Sequence, residues 1–237
     1  MWQDVRNELH PQGLEIVTVA LDVEGADVAR EFIEAANPEH PSLIDRAHAV
    51  DRLFGIVNVP NSVWVDESGM IVRPAEPAHP PRSPIMEQLR SMDTSALPPD
   101  LADVLEMAKN IRHEPDTYMN ALRDWVARGA DSPYALSPDE VITRSHPRPM
   151  TVAEAAAHFE LGQHLHRAGQ IEAAQPHFRA AHRLQPDNWT YKRQAWNFLS
   201  PVVQGPSDVY DSSWAEDVRK IGAENYYPAL EMEPRQA

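Results

Sequence analysis

The sequence predicts an α/β domain over residues 1–75 followed by an all-α tail. Strand and helix signals alternate up to about residue 75, and only helical periodicities recur beyond it. Prolines crowd the junction, from Pro74 to Pro84. The expected organisation is an α/β domain at 1–75, a Pro-rich linker at 76–98 and a helical region at 99–148. A helical repeat with a packing helix follows at 151–200, and a C-terminal helix and tail at 201–237.

In the front part, Trp2, Val5 and Leu9 share one helix face, stopped by Pro11-Gln12-Gly13. Leu14 to Leu21 is β-rich and nearly continuously apolar, as suits an interior parallel strand. Val28 to Ala36 is helical and ends at Asn37-Pro38, and Pro41 to Ile44 is a short extended piece. Asp45 is placed to cap a helix running to Phe54 and closed by Gly55. Asn61–Val65 and Met70–Val72 then form a hairpin across Asp66-Glu67-Ser68-Gly69, with Gly where positive φ is needed.

In the tail, Leu101, Val104, Leu105, Ala108 and Ile111 recur at helical spacing, with Asp100 as cap. Tyr118, Leu122, Trp125 and Val126 make a second stripe ending at Gly129. Ser137 with Glu140, Thr151 with Glu154, and Ser213 with Glu216 read as helix-start capping pairs. The last residues, 231–237, read as frayed. Trp189, Trp196 and Trp214 read as core.

The composition excludes several classes. A formal net charge of -15 argues against nucleic acid and anionic membranes, because phosphate binding needs clustered cations. The longest apolar run is far short of a membrane span, and the first residues lack a signal peptide's basic start and apolar body. As written, the chain is expected to be cytoplasmic. Only Lys109, Lys192 and Lys220 stand against many arginines, and Ala and Pro are frequent, a composition typical of GC-rich bacterial genomes. There is no cysteine, which removes disulfides, thiolate nucleophiles and Cys-ligated metals from this chain. Among the 11 histidines, His164 and His166 point to different helix faces, and His177 and His182 are five apart. Neither spacing suits a metal, so no metal and no cofactor are expected. No Gly-rich phosphate loop or Gly-x-Ser-x-Gly elbow is present.

Residues 155–188 match the tetratricopeptide (TPR) pattern of two interlocking helices. Leu161, Gly162 and Leu165 supply the first helix, and Ala174, Phe178 and Ala181 the second; Pro186 closes the unit. His158 stands where the pattern has an aromatic. One repeat cannot bury both its faces, so residues 189–199 are expected to pack against it. Two roles follow: a peptide groove lined by Phe159, Gln163 and His166, or packing alone.

Leu14 to Val72 resembles the thioredoxin-like family of the TlpA/ResA type. The likeness runs through Val17-Thr18-Val19-Ala20-Leu21-Asp22, His40-Pro41-Ser42-Leu43-Ile44-Asp45, Leu53-Phe54-Gly55-Ile56-Val57-Asn58-Val59-Pro60 and Asn61-Ser62-Val63-Trp64-Val65-Asp66-Glu67-Ser68-Gly69. It covers about the first third of the chain. The resemblance implies that Pro60 is a cis-proline, that Asn58, Val59 and Pro60 form a substrate-binding loop, and that Val59 offers its backbone to an extended substrate. It also implies a preceding strand and a Cys-x-x-Cys motif, and both are absent from this sequence. In the family that strand lies between those matching Leu14–Leu21 and Asn61–Val65. Its loss leaves a gap of roughly 10 Å, too wide for hydrogen bonds to cross.

The fold expected is therefore a thioredoxin-like α/β domain lacking its first strand and active-site motif, followed by an all-α, TPR-like region. The sequence reads as truncated at its N-terminus, through an internal Met start or a selenocysteine codon taken as a stop. The leading functional reading is a thiol- or selenol-disulfide oxidoreductase, or a peroxide reductase, whose catalytic residues are not in this chain. The alternatives are a cysteine-free binding module holding a protein partner through the Pro60 loop and the repeat, and a TPR adaptor on an inert scaffold.

Overall fold

The computed structural model describes residues 1–82, 84–199 and 207–234. Its first helix, α1 (Trp2–Leu9), buries Val5 and Leu9 and is followed by a 3₁₀ turn at His10–Gln12 and by Gly13 at φ 106°. Strand β1 (Thr18–Leu21) leads to α2 (Ala26–Ala36), β2 (Ser42–Asp45) and α3 (Ala49–Phe54). Strands β3 (Asn61–Val65) and β4 (Ile71–Pro77) complete the α/β part.

Beyond them, α4 (Pro84–Ser91), α5 (Pro99–Asn110), α6 (Pro115–Arg128), α7 (Pro138–Ser145) and α8 (Met150–Arg167) follow in order. The chain continues with α9 (Ile171–Leu184), α10 (Trp189–Asn197), α11 (Ser207–Tyr210) and α12 (Trp214–Ile221). The mixed architecture, a little sheet and many helices, is compatible with a thioredoxin-like part and a helical part. Among the described residues, no helix is long and apolar enough to cross a membrane.

The strands form two separate sheets. β1 pairs in parallel with β2, Thr18 opposite Ser42 and Leu21 opposite Asp45. β3 pairs antiparallel with β4, Asn61 opposite Pro77 and Val65 opposite Ile71. β1 and β3 are not bonded to each other. The hairpin turn is fixed by Asp66, whose Oδ1 accepts from the Ser68 and Met70 amides at 2.9 Å each. Gly69 takes φ 82° there.

Several expected boundaries are corrected. Residues 14–17 are not strand: their side chains face the space between the sheets, and no neighbour offers them a ladder. Asp45 ends β2, and its carboxylate accepts from the Ala47 amide and from the first-turn Val50 amide of α3, so it caps that helix from outside, three residues before the N-cap position His48. Asp100 lies inside the first turn of α5, and α8 starts from Pro149 without a side-chain cap. β4 runs five residues past Val72, since an edge strand tolerates Pro74 and Pro77, which have no amide to donate. Ala78 and His79 beyond it are buried, so the chain stays packed where a spacer was expected. Residues 200–206 and 235–237 lie outside the described residues.

Two apolar cores result. One gathers Val5, Leu9, Trp64, Val72, Tyr118 and Leu122, so α6 belongs with the sheet β3–β4. The other lies in the tail around Phe159, Phe178, Trp189, Trp196 and Trp214. A polar seam joins the tail to the front: the Trp189 amide donates to the Val57 carbonyl at 2.6 Å, and Thr190 Oγ1 donates to Asp51 Oδ2 at 2.8 Å. The start of α10 is thereby held against the strand-bearing part.

Candidate functional site

The separation of β1 from β3 leaves a cleft of about 620 Å³. Leu14, Val17 and Val19 line one side, Val63 and Trp64 the other, and Pro60 lies among the lining residues. The cleft is apolar because both walls come from strands whose sequence suits burial on two faces. Here those residues are left open, with Val17 54% and Val65 48% exposed. Facing strand edges with unpaired backbone groups, above an apolar floor, are the features of a place for one more strand.

The floor is rigid. Trp64 stacks on Trp125 with ring centroids 5.0 Å apart and meets Tyr118 edge-on. Tyr118 donates its hydroxyl to Ser62 Oγ at 3.1 Å, and burial pushes its own pKa up. Asn61 Oδ1, also at the cleft, is buried without a hydrogen-bond partner.

The Val59–Pro60 peptide bond is cis. The loop is anchored from behind by the tail: Asn58 Nδ2 donates to the Tyr226 carbonyl at 3.0 Å, and Tyr227 Oη donates to the Val59 carbonyl at 2.7 Å. The Val59 amide donates to Asn58 Oδ1 at 2.9 Å. Both backbone groups of Val59 are thus engaged within the chain, and a segment using them would first displace Asn58 Oδ1 or Tyr227. Sequence reasoning missed Tyr226 and Tyr227, which stand 168 residues from their partners.

The proposed groove residues lie elsewhere. Phe159 is buried, stacked on Tyr191 at 4.1 Å and edge-on to His48. Gln163 is buried beside it in the chain, with Nε2 unpartnered. His166 stacks on Phe198 at 3.7 Å, and burial lowers its pKa. Tyr191 of α10 and Phe198 just beyond it thus lie against Phe159 and His166. Among the described residues, no group of three or more His, Asp or Glu is arranged to hold a metal.

Comparison with known proteins gives one signal. The chain is 29% identical over 72 residues to the thiol-disulfide oxidoreductase ResA of Bacillus thuringiensis and to that of Bacillus cereus. The match takes in 28% of this chain and 40% of each relative, so the chain spans well under half the length of these proteins. The likeness supports a thioredoxin-like family. No protein-family model and no solved structure matches the chain.

Proposed function

We propose that this chain is part of a thioredoxin-like redox protein, and that the cleft between β1 and β3 seats a strand leading into a Cys- or Sec-containing motif. The cleft beside the cis Val59–Pro60 bond carries this reading. The ResA likeness supports it independently. On this reading the helix pair α8–α9 is a single TPR-type unit closed by α10, and residues upstream of Met1 supply the strand.

The chemistry would be exchange. A thiolate or selenolate on the added segment attacks one sulfur of a partner disulfide and releases the other sulfur as thiolate. The motif's second thiolate then attacks the segment's own sulfur or selenium, expels the partner's remaining thiolate, and leaves a disulfide or selenenyl sulfide on the segment. Two electrons pass to the partner. The residues of this chain contribute the Pro60 loop and the cleft walls, and none of them can form the attacking thiolate.

The test is to translate the DNA upstream of Met1 in frame and express the extended chain. The extended protein is expected to reduce a disulfide substrate, and the 237-residue chain to give a blank. An upstream frame holding neither a strand nor a cysteine or selenocysteine would overturn the reading. The cleft would then favour the second reading, a cysteine-free module whose two unpaired strand edges take an extended peptide from a protein partner.

A further inference from the structure

We propose that His158 and His177 form a chelating pair for a divalent transition-metal ion of the zinc type, bridging α8 and α9. Their Nδ1 atoms lie 2.9 Å apart, although the residues are 19 apart in sequence and belong to different helices. Both side chains are half-buried, so the pair is held by the helix interface yet open to solvent on one side.

The scaffold behind the pair is rigid. Gly162, one turn after His158, has no Cβ, and one placed there would stand 2.8 Å from Cε1 of Phe178, the neighbour of His177. Phe178 is fully buried, as are Ala155, Ala174 and Ala181 around it. The close approach of the two helix backbones therefore fixes the separation of the two imidazoles. Two nitrogen ligands held on rigid elements are the part of a metal site that is hardest to assemble.

The ring geometry fits the ion. The ring centroids are 5.2 Å apart with their planes inclined at 31°. Two imidazoles bound at about 2.05 Å to one tetrahedral ion place their nitrogens about 3.3 Å apart, with centroids about 5.2 Å apart. The present distances set the two Nδ1 atoms head-on, as a hydrogen bond does. Rotating each ring by about 35° about its centroid opens the nitrogens by about 0.4 Å and turns both lone pairs toward one ion, converting the contact into a chelate. Without metal, one Nδ1 carries the hydrogen and the other accepts it. On binding, both Nδ1 lone pairs go to the ion, and the displaced hydrogen returns through water to Nε2 of the same ring. That is a change of tautomer with no net proton released. The two remaining positions of the ion are left to water or to an outside ligand, one open position more than a three-ligand zinc site keeps.

The probe is Zn²⁺ alone, titrated calorimetrically into the full chain, with H164Q as control because exposed His164 lies on the same helix. The wild type and H164Q are expected to share one site that H158Q and H177Q each weaken by about 100-fold, the effect of losing one arm of a chelate. Far-UV circular dichroism verifies that the variants keep their helices. Nitrogen-15 spectra of the wild-type histidines provide a second readout needing no variant: the Nδ1 signals of His158 and His177 should shift together at one equivalent of Zn²⁺. If H158Q/H177Q binds Zn²⁺ as tightly as wild type, or if other histidines shift first, the pair is not a metal site.

Discussion

Gln194 Oε1 accepts the Val23 amide at 3.1 Å and lies 3.2 Å from Nε2 of His48, so one tail amide ties two separate pieces of the α/β part. His48 in turn meets Asp51 Oδ2 through Nδ1 at 2.9 Å, and all these side chains are buried. Q194L would leave the buried Val23 amide and His48 Nε2 without their shared partner. Each such loss costs about 1–3 kcal/mol, so the variant should be destabilised by about 2–4 kcal/mol in urea denaturation. A loss below about 0.5 kcal/mol would mean that water replaces the amide and that the seam is not closed.

Arg73 is the second buried junction, at 1% exposure. Its guanidinium donates to both Glu76 oxygens, at 3.3 and 3.1 Å, and to the carbonyls of Tyr134 and Glu231, at 2.7 and 2.6 Å. Burial pushes the Glu76 carboxyl up, and the charge of Arg73 opposes it. R73M leaves that carboxylate with only the longer Arg144 pair, at 3.5 Å, and should cost about 3 kcal/mol, whereas R73M/E76L should recover part of the loss. Thermal unfolding of the two variants measures the difference.

Gly162 predicts a packing penalty where helix propensity alone predicts a gain. Replacing Gly by Ala in a helix ordinarily stabilises by up to about 1 kcal/mol. Here the added methyl meets the ring of Phe178, and G162A should instead lose about 1–3 kcal/mol. The double variant G162A/F178L should relieve the clash, read as partial recovery of Tm relative to the sum of the single changes.

Acid should weaken the tail in a defined window. Burial pushes His182 down to about 4, and the charge of Lys192 adds to this. In the unfolded chain the same ring titrates near 6.5, so between about 6.5 and 4 the unfolded state takes up the proton first. Stability should therefore be flat above about 6.5 and fall as pH drops toward 4. H182L should reduce that fall by about 2–3 kcal/mol, seen as a flatter Tm against pH. Asp217 acts lower. Burial alone would raise it, but Lys192 bonded at 2.7 Å holds it below the ordinary carboxylate range, so its contribution is lost only as pH falls through that lower value.

Local features were legible in the sequence. The Asp66–Gly69 turn, the Ser137 and Ser213 caps and the end of α6 at Gly129 follow from residue types that act within four positions of themselves. The strand reading of residues 14–17 failed because pairing requires a neighbour, which no local pattern reports. The prolines after Val72 read as a spacer because their missing amides argue against a central strand, yet an edge strand does not need them. Contacts between Asn58 and Tyr226, or Gln194 and His48, join residues more than a hundred positions apart and leave no spacing to detect. The contact of His158 with His177 leaves no local pattern for a related reason: it joins two helices at a separation of 19 residues, which no spacing within one helix reports.

The two banks of the cleft are fastened to the shell rather than to each other. β1 continues into Val23, pinned by Gln194, while β4 is pinned by the Leu136 amide on Val72 and by Arg73. A slot braced from outside keeps its width whether or not anything fills it. A strand of the kind proposed for this cleft would meet preset backbone partners and bear mainly its own ordering cost.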